Sequence, residues 1–127
     1  MVRSIPEIVE TYFRLVNAEK FEALFELFHP EVEFRAPFGF RARGLEKVKP
    51  FYLSVPVNYP EHVDTPLEVL TAGNRAAVLI DFRGRNRQGT PVVFRASDWF
   101  GIENGRIRSL EIFFDSQALP RLAPGSK

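Results

Sequence analysis

One carboxylic acid in this chain stands where an apolar side chain would be expected. The run from Val92 to Phe100 reads VVFRASDWF. Side chains on a strand alternate between faces, so Phe94, Ala96, Asp98 and Phe100 share one face and Val93, Arg95, Ser97 and Trp99 the other. If the face carrying Phe94 and Phe100 is the inner one, Asp98 is buried with it. A buried carboxylate is costly unless it is hydrogen-bonded or kept protonated. A protonated carboxyl in an apolar surround is a hydrogen-bond donor and a source of a proton. A plain structural role leaves the same trace, namely a carboxyl that caps a backbone group or pairs with an arginine. Tyr12 and Tyr52 offer hydroxyls to the same interior, each from the apolar face of a predicted helix. A core tyrosine with its hydroxyl at the rim accounts for either equally well. Asp98, Tyr12 and Tyr52 are the candidate catalytic residues.

The side chains expected around them are apolar. Val78, Ile80 and Phe82 on one neighbouring strand, and Leu110, Ile112 and Phe114 on the other, take the face of Phe94, Ala96 and Phe100. Phe28, Phe34, Ala36, Phe38 and Phe51 approach from the N-terminal half. Together these form the candidate ligand-binding wall. Asp81 and Arg95 fall on the outer face, where a cross-strand ion pair is expected. Arg83, Arg85 and Arg87 alternate towards a solvated hairpin tip. Arg41 and Arg43 lie in an expected exposed loop, from which they could gate a pocket or hold a substrate carboxylate. His29 and His62 have no metal-ligand spacing around them and read as surface or satisfied histidines. No phosphate-binding glycine loop and no Gly-x-Ser-x-Gly occurs, and neither a metal nor a cofactor is implied.

Composition narrows the function classes. The chain has 127 residues, one domain by size, with 13 phenylalanines and no cysteine, so disulfides, thiolate metal sites and cysteine nucleophiles are excluded. That aromatic payload suits a dense core or a roomy apolar pocket. The net charge of +1 gives no electrostatic case for nucleic acid or a membrane surface. No apolar run approaches the ~20 residues of a membrane span. The start, MVRSIPEIVETYF, lacks a signal-peptide core. A cytoplasmic location is expected.

The elements that must position these residues follow from period and punctuation. Ser4-Ile5-Pro6-Glu7 matches a capping box and opens a helix over 6–18. A second helix is expected over 20–28, ended by Pro30. A short strand takes 32–36, Arg41 to Gly44 is a loop, and a third helix runs over 45–53 with Pro50 inside it. Val55 to Glu61 is expected to be a loop. From Val63 the period becomes two, with strands at about 63–71, 76–84, 91–102 and 106–115. Asn104-Gly105 forms a tight hairpin between the last two. A turn starts at Asp115-Ser116, and residues 120–127 read as a loose tail beyond a core of about 5–119. The fold class is α+β: three N-terminal helices lie on a bent antiparallel sheet, a cone that encloses an apolar pocket.

With these motifs in order, the chain resembles the nuclear transport factor 2-like superfamily, in its SnoaL-like and ketosteroid isomerase branch, a cystatin-like fold. The resemblance spans Val9 to about Leu119. It is carried by Tyr12-Phe-Arg-Leu-Val-Asn, Val32-Glu-Phe-Arg-Ala-Pro-Phe-Gly39, Gly44 to Tyr52, and Asp98-Trp-Phe followed by Glu103-Asn-Gly-Arg-Ile107. It implies an oxyanion hole from Tyr12 and Asp98, buttressed by Tyr52, with the acid kept neutral by its apolar site. It also implies a homodimer through the convex sheet face. The isomerases carry their general base directly before Pro-Phe-Gly, and here that position is Ala36, which accepts no proton. A standard ketosteroid isomerase activity is therefore not implied.

Three readings of function remain at this point. The first is metal-free and cofactor-free isomerisation or cyclisation of an apolar carbonyl compound, as in SnoaL-like polyketide cyclases. The second is a module that only binds a lipophilic ligand. The third is a dimeric interaction domain whose pocket is filled by Phe28, Phe38, Phe51 and Phe82.

Overall fold

The computed structural model describes residues 3–119; the expected loose tail of 120–127 lies outside the described residues. The first helix, α1 (Ile5–Asn17), starts on the expected capping box. The Ser4 hydroxyl accepts from Glu7 N–H at 3.3 Å, and the Ser4 N–H donates to the Glu7 carboxylate at 2.9 Å. Its apolar stripe buries Ile8, Val9, Tyr12, Phe13, Leu15 and Val16, which is what aims Tyr12 inward. The second helix, α2 (Phe21–Phe25), is shorter than expected. Phe28 instead opens a strand, β1 (Phe28–Ala36), and Pro30 sits within it. Proline donates no hydrogen bond, and the β1 register is irregular between Phe28 and Glu33, where Pro30 falls.

Arg41 to Gly44, expected as loop, mostly forms a strand, β2 (Phe40–Arg43), which pairs antiparallel with β1 around Pro37-Phe38-Gly39. The helix α3 (Leu45–Asn58) runs through Pro50 and Pro56 and absorbs most of the expected loop. An interior proline costs ~3 kcal/mol. The aromatic packing of this helix offsets that: Phe51 lies 4.8 Å from Phe34 and 5.5 Å from Phe40, ring centre to ring centre, and Tyr52 lies 5.8 Å from Phe34.

Four long strands follow, as the alternating period requires: β3 (Glu61–Ala72), β4 (Arg75–Arg85), β5 (Pro91–Glu103) and β6 (Arg106–Phe114). Asn104 and Gly105 both have positive φ, 52° and 75°, the conformation a two-residue hairpin needs. A single 3-10 turn, Ser116–Ala118, is capped by the Asp115 carboxylate.

The six strands form one curled, open sheet in the order β2-β1-β6-β5-β4-β3. All pairs are antiparallel except β1 with β6, which is parallel, so the sheet is mixed where a wholly antiparallel one was expected. The register places Asp64 opposite Phe82, Phe82 opposite Phe94, Val78 opposite Asp98 and Asp98 opposite Ile112. Partners across antiparallel strands share a face. The concave face therefore carries an apolar lining with carboxyls set into it, and α1 and α3 lie across it. Among the described residues no helix is long and apolar enough to cross a membrane.

Candidate functional site

A cavity of about 280 Å³ lies between the helices and the concave sheet face. That is just under the usual ~300–1,000 Å³ of small-molecule pockets. Tyr12 from α1, Tyr52 from α3 and Asp98 from β5 all line it. Ala36, Phe38, Phe51, Ile80 and Phe82 line it too, as do Phe94, Ala96, Ile112 and Phe114. The other candidate wall residues, Phe28, Phe34, Val78, Phe100 and Leu110, are corrected to the core. They face the same way but lie deeper, where the helices close onto the sheet and leave no space. Phe82, Phe94 and Phe114 stack in a column along one wall, with ring centres 4.6 Å apart at both steps. Phe38, at the mouth, is largely exposed and meets Phe114 edge to face at 6.3 Å.

The acid side of the site is built by three elements. The helical stripe buries Tyr12 and the α3 packing buries Tyr52, which brings their hydroxyls to 2.7 Å. Either hydroxyl can donate to the other; when Tyr52 donates, the Tyr12 proton is free for the cavity. Asp98 is 4 % exposed. Among the described residues its carboxyl has no hydrogen-bond partner, so it is not a backbone cap or half of an arginine pair. Burial holds its carboxyl well above the usual range, and the nearby Asp64 carboxyl adds to the rise. Burial likewise pushes both tyrosines well above the normal phenol range. Burial thus favours the neutral, proton-bearing form of Asp98, and both tyrosines keep their protons at neutral pH.

Ala36 lines the cavity with a methyl group and supplies no base. A second carboxyl, Asp64, does line it, beside His62, and neither was expected as a site residue from the sequence. The signal was available: in Glu61-His-Val-Asp64 the alternating period puts His62 and Asp64 on one face, the face that the register aligns with Phe82. Asn17, at the end of α1, clamps Asp64 by its backbone: Asp64 N–H donates to Asn17 Oδ1 and Asn17 Nδ2 donates to the Asp64 carbonyl, each at 2.9 Å. The Asp64 carboxyl has no hydrogen-bond partner among the described residues. Burial raises it to about 6, and His62 opposes the rise. His62 Nε2 lies 2.8 Å from the Glu19 carboxylate, so it is a satisfied histidine at the cavity edge.

The remaining charged candidates stay outside. Asp81 stands opposite Arg95 in register, but its carboxylate bonds Arg83 on its own strand at 2.7 Å, so the expected cross-strand ion pair is corrected. Arg83 is two residues on and shares the face of Asp81. Arg85 reaches Glu61 at 3.3 Å. Arg43 pairs with Glu33 at 3.0 Å, and neither Arg41 nor Arg43 lines the cavity. Among the described residues no three His, Cys, Asp or Glu side chains cluster to hold a metal ion.

A family model described as SnoaL-like domain matches residues 9–110. A search of curated protein sequences finds no match. Among solved structures, a proposed polyketide cyclase from Sinorhizobium meliloti is 30 % identical, with a TM-score of 0.73 over 86 % of this chain and 95 % of that one. A protein of ketosteroid isomerase-like fold from Catenulispora acidiphila, in complex with trimethylamine, has a TM-score of 0.83 at 16 % identity, covering 91 % and 90 %. The epoxide hydrolase/cyclase-like enzyme SalBIII, of pyran-ring formation in salinomycin, has a TM-score of 0.80 at 23 % identity, covering 89 % and 92 %.

Proposed function

The chain belongs to the SnoaL-like domain family, and from that premise we propose that it is a cofactor-free acid–base enzyme that isomerises or cyclises a small apolar carbonyl compound. One observation carries the reading: the buried Asp98 carboxyl, with no hydrogen-bond partner among the described residues, opens on the same apolar cavity as the Tyr12 hydroxyl. Two neutral donors in a water-poor site stabilise charge as it develops on a carbonyl oxygen, an arrangement worth a few kcal/mol per donor, roughly 10²–10³-fold in rate. The cavity size favours a ligand of one or two rings, and the column of Phe82, Phe94 and Phe114 favours a flat one. The likeness to a proposed polyketide cyclase supports the same substrate class.

The test uses two small probes. 2-Naphthol imitates an enolate and should bind the wild-type protein, and Tyr12→Phe and Asp98→Leu should each weaken it by roughly 5–10-fold, the worth of one hydrogen bond. The ketone 2-tetralone should exchange its α-protons in deuterium oxide faster with the protein than in buffer, read by proton NMR. Naphthol binding with no exchange would replace the enzyme with a ligand-binding module. Binding indifferent to both substitutions would remove the acid-side assignment.

A further inference from the structure

We infer that Asp64 is the general base of this site, working across the cavity from the acid Asp98; the inference rests on the acid–base reading above. Both carboxyls line one cavity, and neither has a hydrogen-bond partner among the described residues. A carboxyl with only a structural task would be spent on a donor. Asp64 is also held in place: α1 fixes its backbone through both hydrogen bonds of Asn17, while its side chain is left unengaged. That combination, a fixed main chain and an unpaired carboxyl, is what a positioned base requires.

The environment divides the roles. Asp98 is the more deeply buried, and that burial favours its neutral, proton-bearing form. Asp64, raised to about 6 and opposed by His62, is mostly ionised at neutral pH. Pairs of titratable groups pushed apart in this way mark acid and base. The titratable groups around Asp64 are His62 on β3, with Glu19 behind it, Asp98 from β5, Tyr12 from α1 and Tyr52 from α3; Tyr59, just past the end of α3, lines the same cavity, and β4 presents the apolar Ile80 and Phe82. Ala36 leaves this role open on the other side of the pocket.

The step balances without a co-reactant. The Asp64 carboxylate takes a proton from the carbon next to the substrate carbonyl. That C–H bond breaks, and its electron pair forms the enolate C=C bond while the carbonyl π pair moves to oxygen. The oxygen accepts hydrogen bonds from the Asp98 acid and the Tyr12 hydroxyl. Asp64 then returns the proton, to the same carbon for exchange or to a conjugated carbon for isomerisation. No electron leaves the pair of reactants.

The experiment is 2-tetralone proton exchange by wild type, Asp64→Asn and Asp64→Glu, measured from pH 4.5 to 8.5, with 2-naphthol affinity measured in parallel. Wild-type exchange should rise with pH around an apparent pKa near 6. Asp64→Asn should lose ~10²–10⁴-fold of the exchange, the usual contribution of a general base, together with that pH limb, while naphthol affinity holds within about two-fold. Asp64→Glu should recover part of the rate and the pH limb. A merely structural Asp64 would move naphthol affinity and exchange together and leave the pH profile in shape. Active wild type with unimpaired Asp64→Asn would overturn the role of Asp64 and spare the enzyme reading. Wild type that binds naphthol without exchanging tetralone would overturn both.

Discussion

Burial gives Asp98 and Asp64 a cost that pH reveals. Each carboxyl titrates higher in the folded chain than the ordinary 3.8, so the folded state holds its protons more tightly than the unfolded state. Stability therefore falls as pH rises through the unfolded pKa and levels off above the folded one. For Asp64 the window runs from about 3.8 to about 6. Asp64→Asn should equal wild type at pH 3 and exceed it at pH 7.5, by about 1–3 kcal/mol at ~1.4 kcal/mol per unit. Urea unfolding at the two pH values reads this. Asp98→Asn should follow the same sign, with its gain at pH 7.5 and none at acid pH. A large loss at pH 7.5 would instead mean an ionised and paired Asp98, which its lack of any hydrogen-bond partner among the described residues argues against.

At the scale of elements, α1 does two jobs. Its stripe delivers Tyr12, and its last residue, Asn17, ties the helix to β3 beside Asp64. Asn17→Ala should cost about 1–3 kcal/mol, because it leaves the backbone groups of Asp64 without partners, and should lower tetralone exchange more than naphthol affinity. Ser4→Ala, at the far end of the same helix, removes the cap for about 1 kcal/mol and should leave the exchange rate of the folded protein alone. The pair separates loss of helix from loss of positioning. For α3, the prolines that argued for an early end in the sequence are overruled by Phe51 and Tyr52, which pack into Phe34 and Phe40.

The whole molecule turns an apolar convex face to solvent. Val93, Trp99 and Phe113 are 51 %, 44 % and 50 % exposed there, and a patch of that kind marks an interface more often than bare surface. A homodimer through this face is proposed, with Arg95, Ser97 and Glu111 interspersed among these apolar side chains. Sedimentation at micromolar concentration should give twice the chain mass, and Trp99→Arg should halve it. A monomer in both cases would remove the dimer.

Much of this protein is written in its local sequence. Ser4 and Glu7 cap the first helix, Asn104-Gly105 turns the last hairpin, and the period of two from Val63 onward builds the long strands. These are short-range effects, set by neighbours a few residues apart, and for that reason the sequence alone suffices to aim Asp98 and Tyr12 inward. Depth and partnership are decided only by the tertiary structure. Phe94 and Phe100 share a face of one strand, yet the first lines the cavity and the second is sealed in the core, because α1 closes down at one end of the sheet and not the other. The parallel pairing of β1 with β6 joins segments some seventy residues apart, and no local pattern encodes that register. Asp64 becomes a site residue the same way. Its carboxyl is raised by desolvation, against the opposing effect of His62 two residues away, and that burial is a long-range property that its own strand cannot state.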